Sequence, residues 1–297
     1  MKDSFLRQAG LILRILPLIH QEQAFALKGG TAINFFVRDL PRLSVDIDLV
    51  YLPLTERDEA LEDIRQKLHG IAERIRRMFP TAAIQESGLK LILRVGEATV
   101  KVEPNQVLRG SVHPAEVKEL VPEAQKVFEV SVDMRTLAAA ELYGGKICAA
   151  LDRQHPRDFF DIKLLLDQEG LTEGIRKAFV AYLIAHHRPM SELLDPRFSD
   201  MRHVFENEFL GMTRIPCEYE DLVETRARLV KLIRSSLTGE EKEFIASIQE
   251  GNPHWDLLGL GDIGRLPAVR WKLLNVAKMS SSKKKQEVEK LRACLQM

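Results

Sequence analysis

The sequence has little of several features on which whole classes of protein depend. Its 297 residues include only three cysteines and no CxxC pair, which argues against a disulfide framework or a zinc ribbon and indicates a reducing environment. The 43 basic and 43 acidic residues give a net charge of zero, so bulk positive charge cannot hold a nucleic acid. Aromatic residues make up 6%, and the core must therefore be mostly aliphatic.

Long hydrophobic runs are also absent. No uninterrupted apolar stretch approaches the ~18 residues that indicate a transmembrane helix. The first 21 residues are interrupted by Arg7, Arg14 and Pro17, and their apolar spacing predicts an amphipathic helix rather than a signal peptide. We therefore expect a protein that works in the cytoplasm without membrane contact.

The hydrophobic periodicity changes along the chain. The first half mixes strand and helix patterns, and the second half is almost entirely helical in pattern. The expected fold class is therefore α+β (α/β), with an α/β lobe over residues 1–135 and a mostly α-helical lobe over residues 136–297. The predicted elements of the first lobe are a helix at 3–20, strands at 24–28, 44–53, 89–95, 98–103 and 126–132, and a helix at 55–78 with Thr55 as N-cap.

The most informative local pattern is the acidic strand Ser44–Leu49 (SVDIDL). Side chains at i and i+2 of a strand share a face, so Asp46 and Asp48 project side by side, with Ser44 on the same face. Two adjacent carboxylates repel each other unless a cation lies between them, and Mg²⁺ is a hard cation that prefers oxygen ligands. The alternative is an edge strand whose acidic face is simply solvated.

A glycine pair lies upstream of the acidic strand. Gly29 and Gly30 precede Thr31 at a predicted strand-to-helix junction. Glycine lets the backbone approach a ligand closely, and a helix N-terminus offers free N–H groups to phosphate. A lone turn of this kind is weak evidence. Its order before the acidic strand is more specific, because it couples a triphosphate site to a metal site.

A third carboxylate belongs to the predicted hairpin. Alternation along Ala98–Glu103 places Lys101 and Glu103 on one face of the strand. Glu103 completes a metal cluster if this strand neighbours the one with Asp46 and Asp48. Otherwise Glu103 is a surface residue at a strand end, and the sequence leaves both alternatives open.

These residues resemble a known family, the AbiEii/AbiGii toxins. The family belongs to the DNA polymerase beta-like nucleotidyltransferases and includes the MenT toxins. The resemblance covers roughly residues 24–166, and the gap between the glycine pair and the acidic strand is longer than in the usual polymerase-beta pattern. It rests on the segments Leu27–Ala32 (LKGGTA), Arg42–Leu49 (RLSVDIDL), Glu141–Leu151 (ELYGGKICAAL) and Arg157–Ile162 (RDFFDI).

The resemblance implies a role for each matching residue. Asp46, Asp48, Lys146 and Asp161 are the implied catalytic residues, with Lys146 neutralising phosphate charge. The implied metal ligands are Asp46, Asp48 and Glu103. The second lobe is expected to contribute Lys146 and Asp161 to the catalytic cleft. The implied NTP-binding residues are Gly29, Gly30, Thr31, Ser44, Arg157 and Asp158.

The resemblance also implies a function. It predicts a Mg²⁺-dependent nucleotidyltransferase that acts as the toxin of a toxin–antitoxin or abortive-infection system. The expected substrate is an NTP, the expected acceptor is RNA at the 3′ end of tRNA, and the expected partner is a separately encoded antitoxin. Two alternatives remain: a toxin of the same fold that modifies a protein hydroxyl, and a binding module without catalysis.

Overall fold

The computed structural model describes all 297 residues, and the chain separates into two units. The first unit comprises Met1–Leu142 together with Phe209–Pro216, and the second comprises Tyr143–Glu208 and Cys217–Met297. None of the helices combines the length and the apolar character needed to cross a membrane.

The first unit consists of helices around one sheet. Its helices are α1 (Asp3–His20), α2 (Gly29–Phe36), α3 (Arg57–Met78) and α4 (Pro122–Phe128). Its strands are β1 (Phe25–Lys28), β2 (Asp46–Tyr51), β3 (Ala83–Ser87), β4 (Lys90–Val95), β5 (Ala98–Pro104), β6 (Glu116–Glu119) and β7 (Asp133–Thr136).

The seven strands form one mixed sheet in the order β3-β4-β5-β2-β1-β7-β6. The pairs β2–β5 and β1–β7 are parallel, and the other neighbouring pairs are antiparallel. The fold class expected from the sequence is confirmed. The topology places β2, which contains the two aspartates, between β5 and β1 in the middle of the sheet.

Local sequence explains most of these elements. In α1, residues at helical spacing such as Leu11, Ile15 and Ile19 are buried and form its apolar face. The β4–β5 hairpin turns at Gly96, whose φ of +57° favours glycine, as the sequence predicted. Two predictions were wrong. Residues 126–132 form no strand, because helix α4, which starts at Pro122, extends to Phe128 and residues 129–132 belong to no helix or strand. Helix α3 has Glu56 rather than Thr55 as N-cap.

The second unit is helical. Helix α5 (Ala139–Arg153) begins in the first unit and continues into the second. A side chain at Gly144 would place its Cβ 2.6 Å from the backbone nitrogen of Phe179, so glycine permits close packing there. The remaining helices are α6 (Pro156–Gln168), α7 (Glu173–Ala185), α8 (Met190–Leu194), α9 (Arg202–Val204), α10 (Tyr219–Ser236), α11 (Gly239–Glu250), α12 (Pro267–Ala277) and α13 (Ser281–Leu295).

Candidate functional site

Three carboxylates share one face of the sheet in the first unit. Asp46 and Asp48 are both half-buried and alternate with buried apolar residues along β2. In the parallel register of β2 and β5, Asp46 pairs with Lys101 and Asp48 pairs with Glu103. Side chains of directly paired residues lie on the same side of a sheet. The pairing therefore makes an acidic cluster, defined here as Asp46, Asp48 and Glu103, and places Lys101 beside it.

The lysine is tied to the acidic cluster. Lys101 Nζ lies 2.6 Å from Glu103 Oε2, and both side chains are about two-fifths exposed (40% and 39%). The hydrogen bond to Glu103 raises the pKa of Lys101, partial burial opposes this, and attraction from Glu103, Asp46 and Asp48 adds to it. The ammonium group therefore stays protonated at neutral pH and partly neutralises the acidic cluster.

The donor set of the acidic cluster suits a hard divalent cation. Carboxylate oxygens are the protein ligands that Mg²⁺ prefers, and three of them face one side of the sheet. No three histidine, cysteine, aspartate or glutamate side chains are already arranged as a metal centre. Glu103 is instead bound to the Lys101 ammonium. The residues fit a metal chemically, and one of the two Glu103 oxygens is shared with the Lys101 ammonium.

The glycine turn lies directly against Asp48. Gly29 has a φ of +70°, and a Cβ there would lie 2.7 Å from Asp48 Oδ2. Lys28, the last residue of β1, pairs with Asp48 in the antiparallel register of β1 and β2. Helix α2 begins at Gly29, and the first N–H groups of a helix have no intrahelical acceptor. Glycine thus lets a helix N-terminus, with its affinity for anions, lie beside the acidic cluster.

Buried hydroxyls hold the start of α2 against the approach to β2. Thr31 Oγ1 lies 2.8 Å from Ser44 Oγ and also contacts the carbonyl oxygen of Asp46. Both hydroxyl residues are buried, Thr31 at 1% exposure and Ser44 at 6%. These two side chains bond to the protein itself, and the backbone N–H of Thr31 is the group that suits a phosphate.

A buried arginine packs against the second glycine of the turn. Arg42 is 2% exposed, and its Nη2 would lie 2.6 Å from a Cβ placed on Gly30. Its Nη1 donates to the carbonyl oxygen of Leu43 over 2.8 Å. A side chain at residue 30 would displace this guanidinium, so the second glycine is needed for packing.

A distant segment supports the backbone before β2. The N–H of Leu43 donates to the carbonyl of Met212 over 2.9 Å, and the N–H of Arg214 donates to the carbonyl of Pro41 over 2.9 Å. These bonds explain why Phe209–Pro216 belongs to the first unit. The segment fixes the strand-like backbone from which Ser44 projects.

A second cluster lies in the second unit, between α5 and α6. Lys146 Nζ lies 2.8 Å from Asp158 Oδ1 and 3.0 Å from Asp161 Oδ2, and both aspartates are fully buried. An ammonium group has three N–H donors, so two are used by these carboxylates and one is left. The structure thus brings together three of the residues that the resemblance implied.

Arg153 also binds Asp158. Its Nε and Nη2 lie 2.5 and 2.8 Å from the two carboxylate oxygens, in a bidentate arrangement. Burial alone would raise the pKa of Asp158, but Lys146 and Arg153 together hold it well below its ordinary value. Two cations and two carboxylates therefore form a neutral network, here called the Lys146 network, in which Lys146 and both aspartates are buried and Arg153 is partly exposed. The sequence could have indicated Arg153 only through its position at the end of α5, three residues before the start of α6.

Arg157 contacts a histidine and a glutamate outside the Lys146 network. Its backbone N–H donates to Nδ1 of His155, the N-cap of α6, over 3.1 Å. Its guanidinium lies 3.4 Å from His155 Nε2 and 3.9 Å from Glu208 Oε2. Burial, followed by repulsion from Arg157, lowers the pKa of His155 and keeps the ring neutral, which lets its Nδ1 act as the cap acceptor.

The fold has counterparts among solved structures. The chain is similar to the MenT4 nucleotidyltransferase toxin of Mycobacterium tuberculosis H37Rv, with a TM-score of 0.61 and 16% identity over 92% of this chain and 93% of that chain. JHP933 from Helicobacter pylori matches with a TM-score of 0.44 and 16% identity, over 80% of this chain and 94% of that one. At this identity the likeness to MenT4 shows a shared fold. No curated protein sequence matches the chain.

The comparison with family models identifies the family as well as the fold. The model of the AbiEii family, described as a nucleotidyl transferase toxin of a type IV toxin–antitoxin system, matches residues 11–274. This match spans most of both units and includes every residue of the acidic cluster and of the Lys146 network. It gives no support to a binding module without catalysis. The chain therefore belongs to the AbiEii family and is a nucleotidyltransferase toxin of a type IV toxin–antitoxin system, with an NTP as substrate and an antitoxin as partner.

Proposed function

We propose that the protein transfers a nucleotide from an NTP to a hydroxyl group of RNA, at the 3′ end of tRNA, with Mg²⁺ as the metal. The reaction is proposed to take place in the cytoplasm and to be countered by a separately encoded antitoxin. One observation carries this proposal: the acidic cluster on β2 and β5 lies beside a glycine-lined helix N-terminus. A carboxylate set for a cation and a helix start for an anion are what a metal–triphosphate complex requires.

The acidic cluster is proposed to be the metal site. Asp46, Asp48 and Glu103 supply oxygen donors from one face of two adjacent strands. When bound, the metal would activate the attacking hydroxyl and neutralise charge on the phosphates. The protein's own contribution is rigidity, because both strands lie within the sheet and Asp48 is packed against Gly29.

The triphosphate is proposed to bind at the start of α2. The backbone N–H groups of Gly29, Gly30 and Thr31 are the free donors there. Lys28 pairs with Asp48 in the strand register and adds positive charge on the same face. Ser44 is proposed to act by holding Thr31, since the two hydroxyls are 2.8 Å apart.

Lys146 is proposed to bind a phosphate oxygen through its remaining N–H. Asp158 and Asp161 hold the ammonium from two sides, which fixes the direction of that third donor. Asp161 is thus proposed to be essential because it positions Lys146. Arg157 is proposed to bind the NTP from the first turn of α6, where its guanidinium adds a second positive charge.

Labelled nucleotides test this function directly. Total tRNA is incubated with each of the four α-³²P-labelled NTPs and the wild type, Asp48→Asn or Lys146→Met. The control is Glu116→Gln, a carboxylate on β6 that also pairs with a lysine. We expect RNA labelling by the wild type and the control with one or more NTPs, and none by the other two variants. Labelling of protein in added lysate and never of RNA would favour a protein hydroxyl as acceptor, and absence of Asp48-dependent labelling would overturn the proposal.

A further inference from the structure

Lys101 is the one cation that the strand register places beside Asp46, and its ammonium is bound to Glu103. It pairs with Asp46 across the β2–β5 register, and it bonds to Glu103 two residues further along its own strand. Three carboxylates on one face repel one another, and a nearby positive charge lowers that cost. Lys101 supplies such a charge within the protein itself.

The Lys101 ammonium occupies one of the two Glu103 oxygens that a metal ion would use. Glu103 Oε2 accepts a hydrogen bond from Lys101 over 2.6 Å, which places the ammonium beside the carboxylate that a cation would bind. A divalent ion bound by Asp46, Asp48 and Glu103 would also repel a positive charge at this distance. The lysine side chain is 40% exposed and has a flexible four-carbon stem, so it can move aside.

We propose that Lys101 is a tethered counter-cation that competes with the metal for the acidic cluster. This inference rests on the metal site of the proposed function. Without NTP the ammonium holds the site and the metal binds weakly. Metal and NTP then enter together, because the triphosphate supplies further metal ligands and offers the displaced ammonium a new anion.

A similar pair elsewhere in the sheet separates this role from an ordinary surface ion pair. Lys118 and Glu116 of β6 have the same two-residue spacing, with Nζ and Oε2 3.0 Å apart. Their register partners on β7 are the uncharged residues Met134 and Thr136. Lys118 therefore repeats the local geometry of Lys101 without the two additional carboxylates, and it provides a matched control.

Binding of Mn²⁺ alone, without nucleotide, tests the proposal. Titration calorimetry or the electron paramagnetic resonance signal of free Mn²⁺ gives the dissociation constant for the wild type, Lys101→Met, Lys101→Arg and Lys118→Met. Because one nearby positive charge is removed from a partly exposed site, we expect Lys101→Met to bind Mn²⁺ about tenfold or more tightly. Lys101→Arg keeps the charge and should match the wild type, as should Lys118→Met.

Thermal unfolding with and without Mn²⁺ gives a second readout. Lys101→Met should have a lower Tm than the wild type in EDTA, because the three carboxylates lose one of the two lysines that the strand register places on their face, and should gain more on adding Mn²⁺. Equal or weaker Mn²⁺ binding by Lys101→Met overturns the inference, and so does undetectable binding by both proteins. The double variant Lys101→Met/Asp48→Asn separates the two proposals: if Asp48→Asn abolishes binding in every background while Lys101→Met gains nothing, the metal site stands and only the competition fails.

Discussion

Asp48 and Glu103 are direct partners across two parallel strands that are 55 positions apart in the sequence. This pairing turns two separate acidic motifs into one cluster. Parallel pairing requires a long crossover, which here includes α3 and the β3–β4 hairpin. The position of Glu103 therefore depends on the whole topology of the first unit and not on its local sequence.

Removing the charge of Asp48 should abolish activity without weakening the fold. Asp48→Asn keeps the side-chain volume and relieves repulsion within the acidic cluster, so Tm in EDTA should be equal to or above that of the wild type. Nucleotidyl transfer should fall by about 100-fold or more, since even outer-shell partners of a metal contribute roughly 10–100-fold. Radiolabel incorporation and differential scanning fluorimetry on the same preparations test this, and a fall in Tm with activity retained would show that Asp48 is structural.

Replacing Gly29 by alanine should disturb the acidic cluster. The positive φ alone costs about 1–2 kcal/mol, and the contact of 2.7 Å with Asp48 Oδ2 adds roughly 1–3 kcal/mol from overpacking. Gly88→Ala is the matched control, because Gly88 has a φ of +60° and a Cβ added there would meet nothing within 4 Å. Urea unfolding of both variants measures the difference, and equal losses of unfolding free energy would contradict the close contact.

Asp158→Asn should be far more destabilising than Asp167→Asn on the same helix. The substitution removes the negative charge of the fully buried Asp158, so that Lys146 and Arg153 lose a shared carboxylate partner. We expect the free energy of unfolding to fall by about 3–5 kcal/mol. Asp167 pairs with Lys163 and with Arg228, each over 2.7 Å, at the surface, where each such pair contributes about 0–1 kcal/mol.

The contribution of Asp158 should also depend on pH. Its pKa is lower in the folded than in the unfolded protein, so its stabilisation is complete above an unfolded pKa of about 3.9 and is lost as the pH falls below that value. Denaturant unfolding between pH 3 and pH 7 should therefore show a constant difference between the wild type and Asp158→Asn down to about pH 4.5 and a difference smaller by roughly 1 kcal/mol at pH 3. A constant difference over this range would argue against a lowered pKa.

Lys272 should make the protein more stable at alkaline pH. Its ammonium is buried and donates to the carbonyls of His186 and Arg188, each over 2.9 Å. Burial lowers the pKa of Lys272 to about 8, and attraction from Glu287 on α13 offsets this in part. The charged form is thus disfavoured in the folded state, and this cost disappears as the pH rises from about 8 to the unfolded value of about 10.4.

A variant without the amine isolates this effect. Relative to Lys272→Met, the wild type should gain roughly 2–3 kcal/mol in unfolding free energy between pH 8 and pH 10.5. Lys278→Met, at an exposed position just after the same helix, provides the control and should show no such difference from the wild type. If the wild type and Lys272→Met keep a constant difference over this pH range, the buried amine does not titrate there.

Local signals predicted the elements nearest the site. The β1–α2 glycine turn, strand β2 and the β4–β5 hairpin all follow from period and turn residues over a few positions. Strands β3, β6 and β7 were not predicted, because they are only four or five residues long and β6 is largely exposed. Short strands of this kind are determined by their neighbours and carry little pattern of their own.

The arrangement of the site could be predicted only in part, because it depends on contacts between residues that are far apart in the sequence. Alternation placed Lys101 and Glu103 on one face, but only the β2–β5 register shows that Asp46 and Asp48 share it. The helical spacing of α5 and α6 did not indicate that Arg153 would bind Asp158. A metal-binding role for Glu103 and a domain boundary at residue 135 stay predictions.

The segment Phe209–Pro216 has a consequence for how the toxin is made. A ribosome adds residues in order, and the hydrogen bonds from Leu43 to Met212 and from Arg214 to Pro41 need residues near position 214. The first unit therefore cannot complete its native contacts until nearly three-quarters of the 297 residues have been synthesised. Nascent chains and fragments that stop before this segment lack the backbone support for Ser44, so the NTP site is expected to become competent only late in translation.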